Sequence, residues 1–215
     1  MIKIILADDH CLVRTGLQRL LDDIEHFTVI GEADNGVDAI ALVAEKQPDV
    51  VILDINMPKL NGLETTERLH RDFPDVKILI ISMHSDEIFP QRLLKAGAHG
   101  YLTKDSGIQE IAHAISEVMA SRSYICNEVS RKLALVNTGT GKESPFINLS
   151  KRELQVLSLT LKSLKVNEIS EALSLSPKTV STYRYRLFSK LSVQSDMELV
   201  KLAMQYGFVE ESTLS

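Results

Sequence analysis

Only two cysteines, Cys11 and Cys126, occur among the 215 residues. That is too few for a disulfide framework or a cysteine-built zinc site. No apolar run approaches the roughly 20 residues that a membrane-spanning helix needs. Nor is there a signal-peptide pattern, because the N-terminal run Ile2-Lys3-Ile4-Ile5-Leu6-Ala7 meets Asp8 and Asp9 at once, too early for a secretory leader. These absences point away from secretion and membrane insertion, and a cytoplasmic location is expected. What is present, 44% hydrophobic and 25% charged residues, is ordinary for a soluble globular protein. The length suits one large domain or two smaller ones.

Charge favours two. The formal net charge is -5, but it is unevenly spread. From Ser150 onward there are nine Lys/Arg against seven Asp/Glu, which leaves 15 basic and 22 acidic residues in the first 149. An acidic first part and a slightly basic second part imply domains with different partners.

The most informative stretch is Asp49-Val50-Val51-Ile52-Leu53-Asp54-Ile55-Asn56-Met57-Pro58. Four consecutive apolar residues suit a strand buried on both faces of a parallel sheet. The strand ends abruptly at Asp54, which delivers a carboxylate to the carboxyl edge, where open α/β sheets place their chemistry. Strands are also predicted at 2–7, 27–30, 76–81 and 100–102. They alternate with helices at 11–24, 35–46, 63–72, 86–96 and 107–120, where Leu12, Val13, Leu17, Leu20, Leu21 and Ile24 share one face of the first. Five strands alternating with five helices predict a doubly wound, flavodoxin-like α/β domain. With strand order 2-1-3-4-5, Asp8, Asp9 and Asp54 meet in the crevice between strands 1 and 3, and Ser82 and Lys104 arrive at the same edge.

Each residue alone has a plainer reading: Asp8-Asp9 as a turn or helix cap, Ser82 as a strand-end hydroxyl, Lys104 as a solvated lysine. Their joint placement favours a site. Three carboxylates in one crevice repel unless a cation is present. All-oxygen ligands suit Mg²⁺ or Mn²⁺. The chemistry predicted is attack by the Asp54 carboxylate on a phosphoryl group, with Ser82 donating a hydrogen bond to it and Lys104 pairing with it.

On Asp8-Asp9, Leu53-Asp54-Ile55-Asn56-Met57-Pro58, Gly62, Ser82, Tyr101 and Lys104, residues 1–120 resemble the receiver domain of two-component response regulators. The resemblance implies phosphorylation of Asp54, with metal held by Asp9, Asp54, the Asn56 backbone carbonyl and, partly through water, Asp8. It also implies a shift of Ser82 toward the phosphoryl group and a rotamer change of Tyr101. Without the family, Tyr101 reads as an amphipathic aromatic at a sheet edge. Asp105 stands where many receivers carry proline.

Residues 121–148 read as a linker, with a short helix over 127–136 and a polar, flexible stretch Asn137–Pro145. Residues 149–215 form the second domain. Ser150 and Glu153 have capping-box spacing, and Ser176-Pro177 supplies a cap and an N1 proline. Four helices are predicted, with a tight connection into the third, as in a helix-turn-helix. At 100° per residue, Val180, Tyr183, Leu187 and Leu191 face the core. Lys178, Ser181, Thr182, Tyr185 and Ser189 lie opposite, flanked by Arg186 and Lys190. Ser176 to Gln194 holds four basic residues and no acid, which suits a helix lying on DNA. The plainer alternative is a solvated polar face.

Leu149-Ser150, Arg152-Glu153, Asn167-Glu168-Ile169-Ser170, Leu175-Ser176-Pro177-Lys178-Thr179-Val180 and Lys190-Leu191 resemble the LuxR-type helix-turn-helix. Ser163 departs from the family's glycine and leaves the local turn open. The resemblance implies base contacts from Ser181, Thr182 and Tyr185, phosphate contacts from Lys178, Thr179, Arg184, Arg186 and Lys190, and dimer contact through the last helix. Arg184 lies nearer the core side by angle. The combination is similar to the NarL/FixJ family, and the runs around Ser144-Pro145-Phe146 and 165–186 to its GacA/UvrY/LetA type. That likeness implies a BarA/GacS-like hybrid sensor kinase, a homodimer on DNA when phosphorylated, and promoters of small RNAs acting on CsrA/RsmA-type proteins.

Two rivals differ in class. A phosphatase or phosphotransferase using Asp54 as nucleophile needs an acid two residues on, where Asn56 stands. A never-phosphorylated interaction module does not need the full Asp8, Asp9, Asp54, Ser82, Lys104 set. A phosphorylation-switched, non-enzymatic transcription factor is the reading preferred.

Overall fold

The computed structural model describes residues 1–83, 88–137 and 144–206. The chain divides into two compact units, Met1–Met83 with Phe89–Arg131, and the part from Lys132 onward.

In the first unit a parallel sheet has the order β2-β1-β3-β4-β5-β6. Its strands are β1 (Ile2–Ala7), β2 (Phe27–Ala33), β3 (Val50–Leu53), β4 (Lys77–Ser82), β5 (Gly100–Thr103) and β6 (Tyr124–Ile125). Helices α1 (Cys11–Asp22), α2 (Gly36–Lys46), α3 (Gly62–Asp72), α4 (Ile88–Lys95) and α5 (Ile108–Met119) connect them, and α6 (Asn127–Asn137) follows β6. All four residues of β3 and of β5 are buried. This is why β3 reads as an unbroken apolar run rather than an alternating one.

The sheet has six strands, not the five expected. β5 would otherwise be an edge with unpaired amides and carbonyls. Tyr124 N–H donates to His99 O at 3.2 Å and Cys126 N–H to Tyr101 O at 3.0 Å, so two residues complete the pairing. A strand that short carries no periodicity to detect. Tyr101, expected at a sheet edge, instead lies between Ile80 of β4 and Ile125 of β6 and is fully buried.

Helix α1 also differs from its pattern. Leu21 is buried, but Leu12 is 89% exposed and Val13 and Leu20 are exposed as well. The apolar stripe is wider than the surface the sheet offers it. The predicted start of α4 at residues 86–87 and the polar stretch 138–143 lie outside the described residues.

In the second unit a short 3-10 turn at Pro145–Asn148 precedes α7 (Lys151–Leu161), α8 (Val166–Ala172), α9 (Pro177–Leu191) and α10 (Asp196–Gln205). The Ser150 hydroxyl accepts from Glu153 N–H, and Glu153 returns a bond to Ser150 N–H at 2.7 Å, which completes the capping box. Ser176 caps α9 by accepting from Thr179 N–H at 3.1 Å. Val156, Ile169 and Val180 form the centre of a core joined by Leu159, Leu164, Val166, Leu173, Leu175 and Tyr183. One residue from each of α7, α8 and α9 at that centre fixes the three helices together. Ser163 follows α7 at φ 62°, the left-handed conformation that favours glycine, so the serine departure leaves the turn itself unchanged.

Candidate functional site

Register places the first site. Ala7 of β1 pairs with Leu53 of β3, so Asp8 and Asp54 leave the sheet side by side. Their backbones are tied down: Asp54 N–H donates to Ala7 O at 2.8 Å and Asp8 N–H to Ala33 O at 3.1 Å. One step across, Lys104 N–H donates to Ser82 O at 2.9 Å, and Ser82 pairs with Thr103. The sheet's carboxyl edge thereby gathers Asp8, Asp54, Ser82 and Lys104, and Asp9 follows Asp8 at the exposed lip. Asn56 lies two residues past Asp54 in the β3–α3 loop, half-buried.

Lys104 Nζ lies 2.7 Å from Asp8 Oδ2 and 3.4 Å from Asp54 Oδ2, with its side chain only 8% exposed. One cation thus faces two buried carboxylates, and Asp9 adds a third negative group. Asp54 is pushed from 3.8 up to about 6, first by burial and also by the negative charges of Asp8 and Asp9, with Lys104 opposing. The cavity beneath it is lined by apolar side chains including Val13, Leu17, Ile52 and Ile81, which is the physical source of the desolvation. An Asp54 carboxylate held this way lacks positive charge, a deficit that a divalent cation would fill.

The second site is the outer face of α9. Val180, Leu187 and Leu191 are buried. Lys178, Ser181, Thr182, Tyr185, Arg186, Ser189 and Lys190 are exposed, Tyr185 by 77%, and Thr179 is half-buried. Ser181 and Thr182 donate their hydroxyls to Pro177 O and Lys178 O, one turn back, which keeps both side chains low on the helix. Two of the expected phosphate contacts are engaged elsewhere. Arg184 holds both oxygens of Asp196, at 2.7 and 2.9 Å, and its guanidinium lies 5.5 Å from the Phe188 ring centre. Lys190 Nζ donates to Glu153 Oε2 at 2.7 Å. Burial raises the Glu153 carboxyl, but its bonds from Lys190 and Ser150 outweigh that and hold it below the usual range. Both bases brace α9 against its neighbours, and the helix angle of Arg184 had pointed that way.

Known proteins resemble both parts of the chain. Residues 4–116 match the family described as response regulator receiver domain, and residues 147–203 match bacterial regulatory proteins, luxR family. The response regulator GacA of Pseudomonas aeruginosa is 46% identical over 214 residues, covering 99% of this chain and 100% of that protein. The response regulator UvrY of Escherichia coli K12 is 45% identical, covering 100% of this chain and 99% of that one. This chain belongs to the two-component response regulators with a LuxR-type DNA-binding domain. Among solved structures, RcsB from Salmonella enterica serovar Typhimurium, bound to promoter P1flhDC in the presence of phosphomimetic BeF3-, superposes with a TM-score of 0.72. It is 26% identical and covers 95% of this chain and 98% of that one. Such regulators are transcription factors rather than enzymes, and no helix among the described residues is long and apolar enough to cross a membrane.

The response regulator's crevice holds two residues that sequence reasoning passed over. His10 Nδ1 lies 2.8 Å from Asp9 Oδ1 and 3.2 Å from Asp8 Oδ1. Its position directly after two acids was the available signal. Arg14 donates to Asp8 O at 2.6 Å and to Glu32 Oε2 at 2.9 Å, clamping the β1–α1 loop to β2. Nothing in the spacing of α1 marks that partner.

Gly62 sets the distance between the Asp54 loop and α3. A Cβ there would lie 2.5 Å from Asp54 O and 2.7 Å from Ile55 Cα, both backbone. Gly62→Ala is therefore expected to lower stability by about 1–3 kcal/mol, the usual cost of overpacking. Chemical denaturation of the response regulator measures it, and an unchanged midpoint would show that the loop yields freely.

Proposed function

We propose that phosphoryl transfer from a sensor histidine kinase to Asp54 controls dimerisation and sequence-specific DNA binding, and through them transcription. The observation that carries this reading is the Asp8–Asp54–Lys104 cluster at the sheet edge, in a chain that also bears an exposed, acid-free α9 face. An Asp54 carboxylate oxygen attacks the phosphorus while the kinase histidine leaves. Lys104 then pairs with the new phosphoryl oxygens and is drawn from Asp8. Mg²⁺ or Mn²⁺, held by Asp9, Asp54 and the Asn56 carbonyl with Asp8 partly through water, would neutralise charge on the transferring group. The Ser82 hydroxyl moves toward the phosphoryl group, and Tyr101, buried in the unphosphorylated chain, changes rotamer. The added charge is the local event that shifts the balance between two arrangements.

On DNA, Ser181, Thr182 and Tyr185 face base edges, and Lys178, Thr179 and Arg186 hold phosphates. Arg184 and Lys190 join them only by exchanging Asp196 and Glu153 for phosphate oxygens. Two copies occupy two half-sites, in keeping with the two-fold logic of helix-turn-helix dimers. The 45–46% identity to UvrY and GacA supports a BarA/GacS-like hybrid kinase as donor and promoters of small RNAs that act on CsrA/RsmA-type proteins. A cytoplasmic location follows from such partners. The domain limits we favour are 1–120, 121–148 and 149–215.

The test is selection of bound duplexes from a randomised pool by the phosphorylated full-length chain, followed by salt titration. A two-half-site consensus is expected. Lys178→Ala should weaken binding to all sequences alike and lower the log–log salt slope by about 1, whereas Tyr185→Ala should relax preference at one position per half-site. Recovery of no consensus would sink the reading.

A further inference from the structure

We propose that His10 is a ligand of the cation site and biases it from Mg²⁺ toward divalent transition metals. This rests on the reading of the acidic crevice as a cation site. Ligand atoms of Asp8, Asp9, His10 and Asp54 all lie within 4.8 Å of one another. Adjacent ligands of an octahedral ion with bonds of about 2.1 Å are about 3.0 Å apart. The distances from His10 Nδ1 to Asp9 Oδ1 and Asp8 Oδ1, 2.8 and 3.2 Å, bracket that edge. His10 Nδ1 is thus spaced from each of the two carboxylate oxygens as a neighbouring corner of one coordination shell would be.

The surroundings leave this corner available. Lys104 takes the other oxygen of Asp8, Oδ2, so Oδ1 remains on the side of His10. The backbone holds the residue in place, since His10 N–H donates to Asp8 Oδ1 at 2.7 Å. The His10 side chain is 57% exposed, so small ring adjustments displace only water.

The donor change has a chemical consequence. Mg²⁺ prefers oxygen and keeps several waters. An imidazole nitrogen adds little for Mg²⁺ but strengthens binding along the series from Mn²⁺ to Ni²⁺. A receiver site with carboxylates alone offers a shallower gradient. His10 is therefore a specificity-determining residue: it places one nitrogen in a set of oxygens and makes occupancy depend on transition-metal supply.

The experiment is Mn²⁺ added to the full-length chain and followed by electron spin-echo spectroscopy, with calorimetric titration of Mg²⁺ and Ni²⁺ in parallel. Wild type, His10→Ala, His10→Asn and Asp54→Ala are compared, the two His10 variants checked for an unchanged melting transition in EDTA and Asp54→Ala for a cooperative one. Nitrogen hyperfine coupling is expected in wild type and absent from His10→Ala and His10→Asn. The Ni²⁺ affinity should fall roughly ten- to a hundredfold, at least as much as loss of a ligand-orienting partner costs, while that for Mg²⁺ stays within about threefold. Asp54→Ala separates this site from the remaining histidines, because the nitrogen-coupled Mn²⁺ signal should weaken with it. Coupling that persists in His10→Ala overturns the inference, as does an equal gain in affinity for all three metals, which would make His10 a competitor of the cation. Binding of Mn²⁺ without nitrogen coupling overturns the role of His10 alone. Failure of Mn²⁺ to bind overturns the cation-site reading as well.

Discussion

Asp54→Ala is expected to form no acyl phosphate with a small phosphodonor and Mg²⁺, and its DNA affinity should no longer respond to the donor. Asp54 is the buried carboxylate facing Lys104 at the sheet edge, and alanine removes the attacking oxygen while leaving the strand's backbone pairing unchanged. Coupling between sites of this kind is typically worth 1–3 kcal/mol, or roughly 5- to 150-fold in affinity. Wild type should therefore gain within that range on phosphorylation, and the variant should give a ratio of about 1. Phosphate-affinity electrophoresis reads the first quantity and a DNA titration at fixed salt the second. Phosphodonor-dependent binding that survives in Asp54→Ala would falsify the assignment. Multiple turnover of a small phosphate ester by wild type would instead revive an enzyme, against the amide side chain of Asn56.

Asp54→Asn is expected to stabilise the chain in EDTA at neutral pH, by roughly 3 kcal/mol. Burial places the folded-state pKa near 6, above the ordinary 3.8. Below 3.8 the group is protonated in folded and unfolded chains alike, and it imposes no penalty. As pH rises from 3.8 through 6, the unfolded chain gives up its proton first, and stability falls. Above 6 the penalty is complete. Asparagine resembles the protonated acid at every pH, so its advantage should appear across this window and vanish below about pH 4. Denaturant midpoints taken from pH 4 to pH 8 measure the difference. A divalent cation should narrow it, since binding stabilises only the folded chain that keeps the carboxylate. A pH-independent difference would mean that Asp54 carries no burial penalty. Stability is here given up at the proposed phosphorylation site.

Much of the site was legible because parallel strands enforce it. An apolar run with an acid at its C-terminal end has a single place to put that acid once the strand is central in a doubly wound sheet. Asp8, Asp54, Ser82 and Lys104 each follow such a run. Helix starts were legible for a similarly local reason: Ser150 with Glu153, and Ser176 with Pro177, satisfy orphan amides within one turn. Direction on an exposed or half-exposed helix was harder. Leu12 and Leu20 belong to the apolar stripe of α1 yet stay in water, because the width of the contact depends on the sheet beneath. Arg184 and Lys190 were legible as charges but not as partners. Asp196 and Glu153 are 12 and 37 residues away in sequence, and no periodicity encodes a pairing at that separation.

The sequence by itself determined the order of the elements, the strand ends that carry the acids and the lysine, and the core face of α9. These depend on unbroken apolar runs that mark buried strands, on the 3.6-residue period of helices and on caps that act within a few positions. Only the tertiary structure decided that a sixth strand closes the edge beside Tyr101, that Arg14 clamps the Asp8 loop, and that His10 Nδ1 sits 2.8 and 3.2 Å from carboxylate oxygens of Asp9 and Asp8. Those are meetings between segments, or side-chain orientations within a loop, and both are set by packing rather than by local pattern.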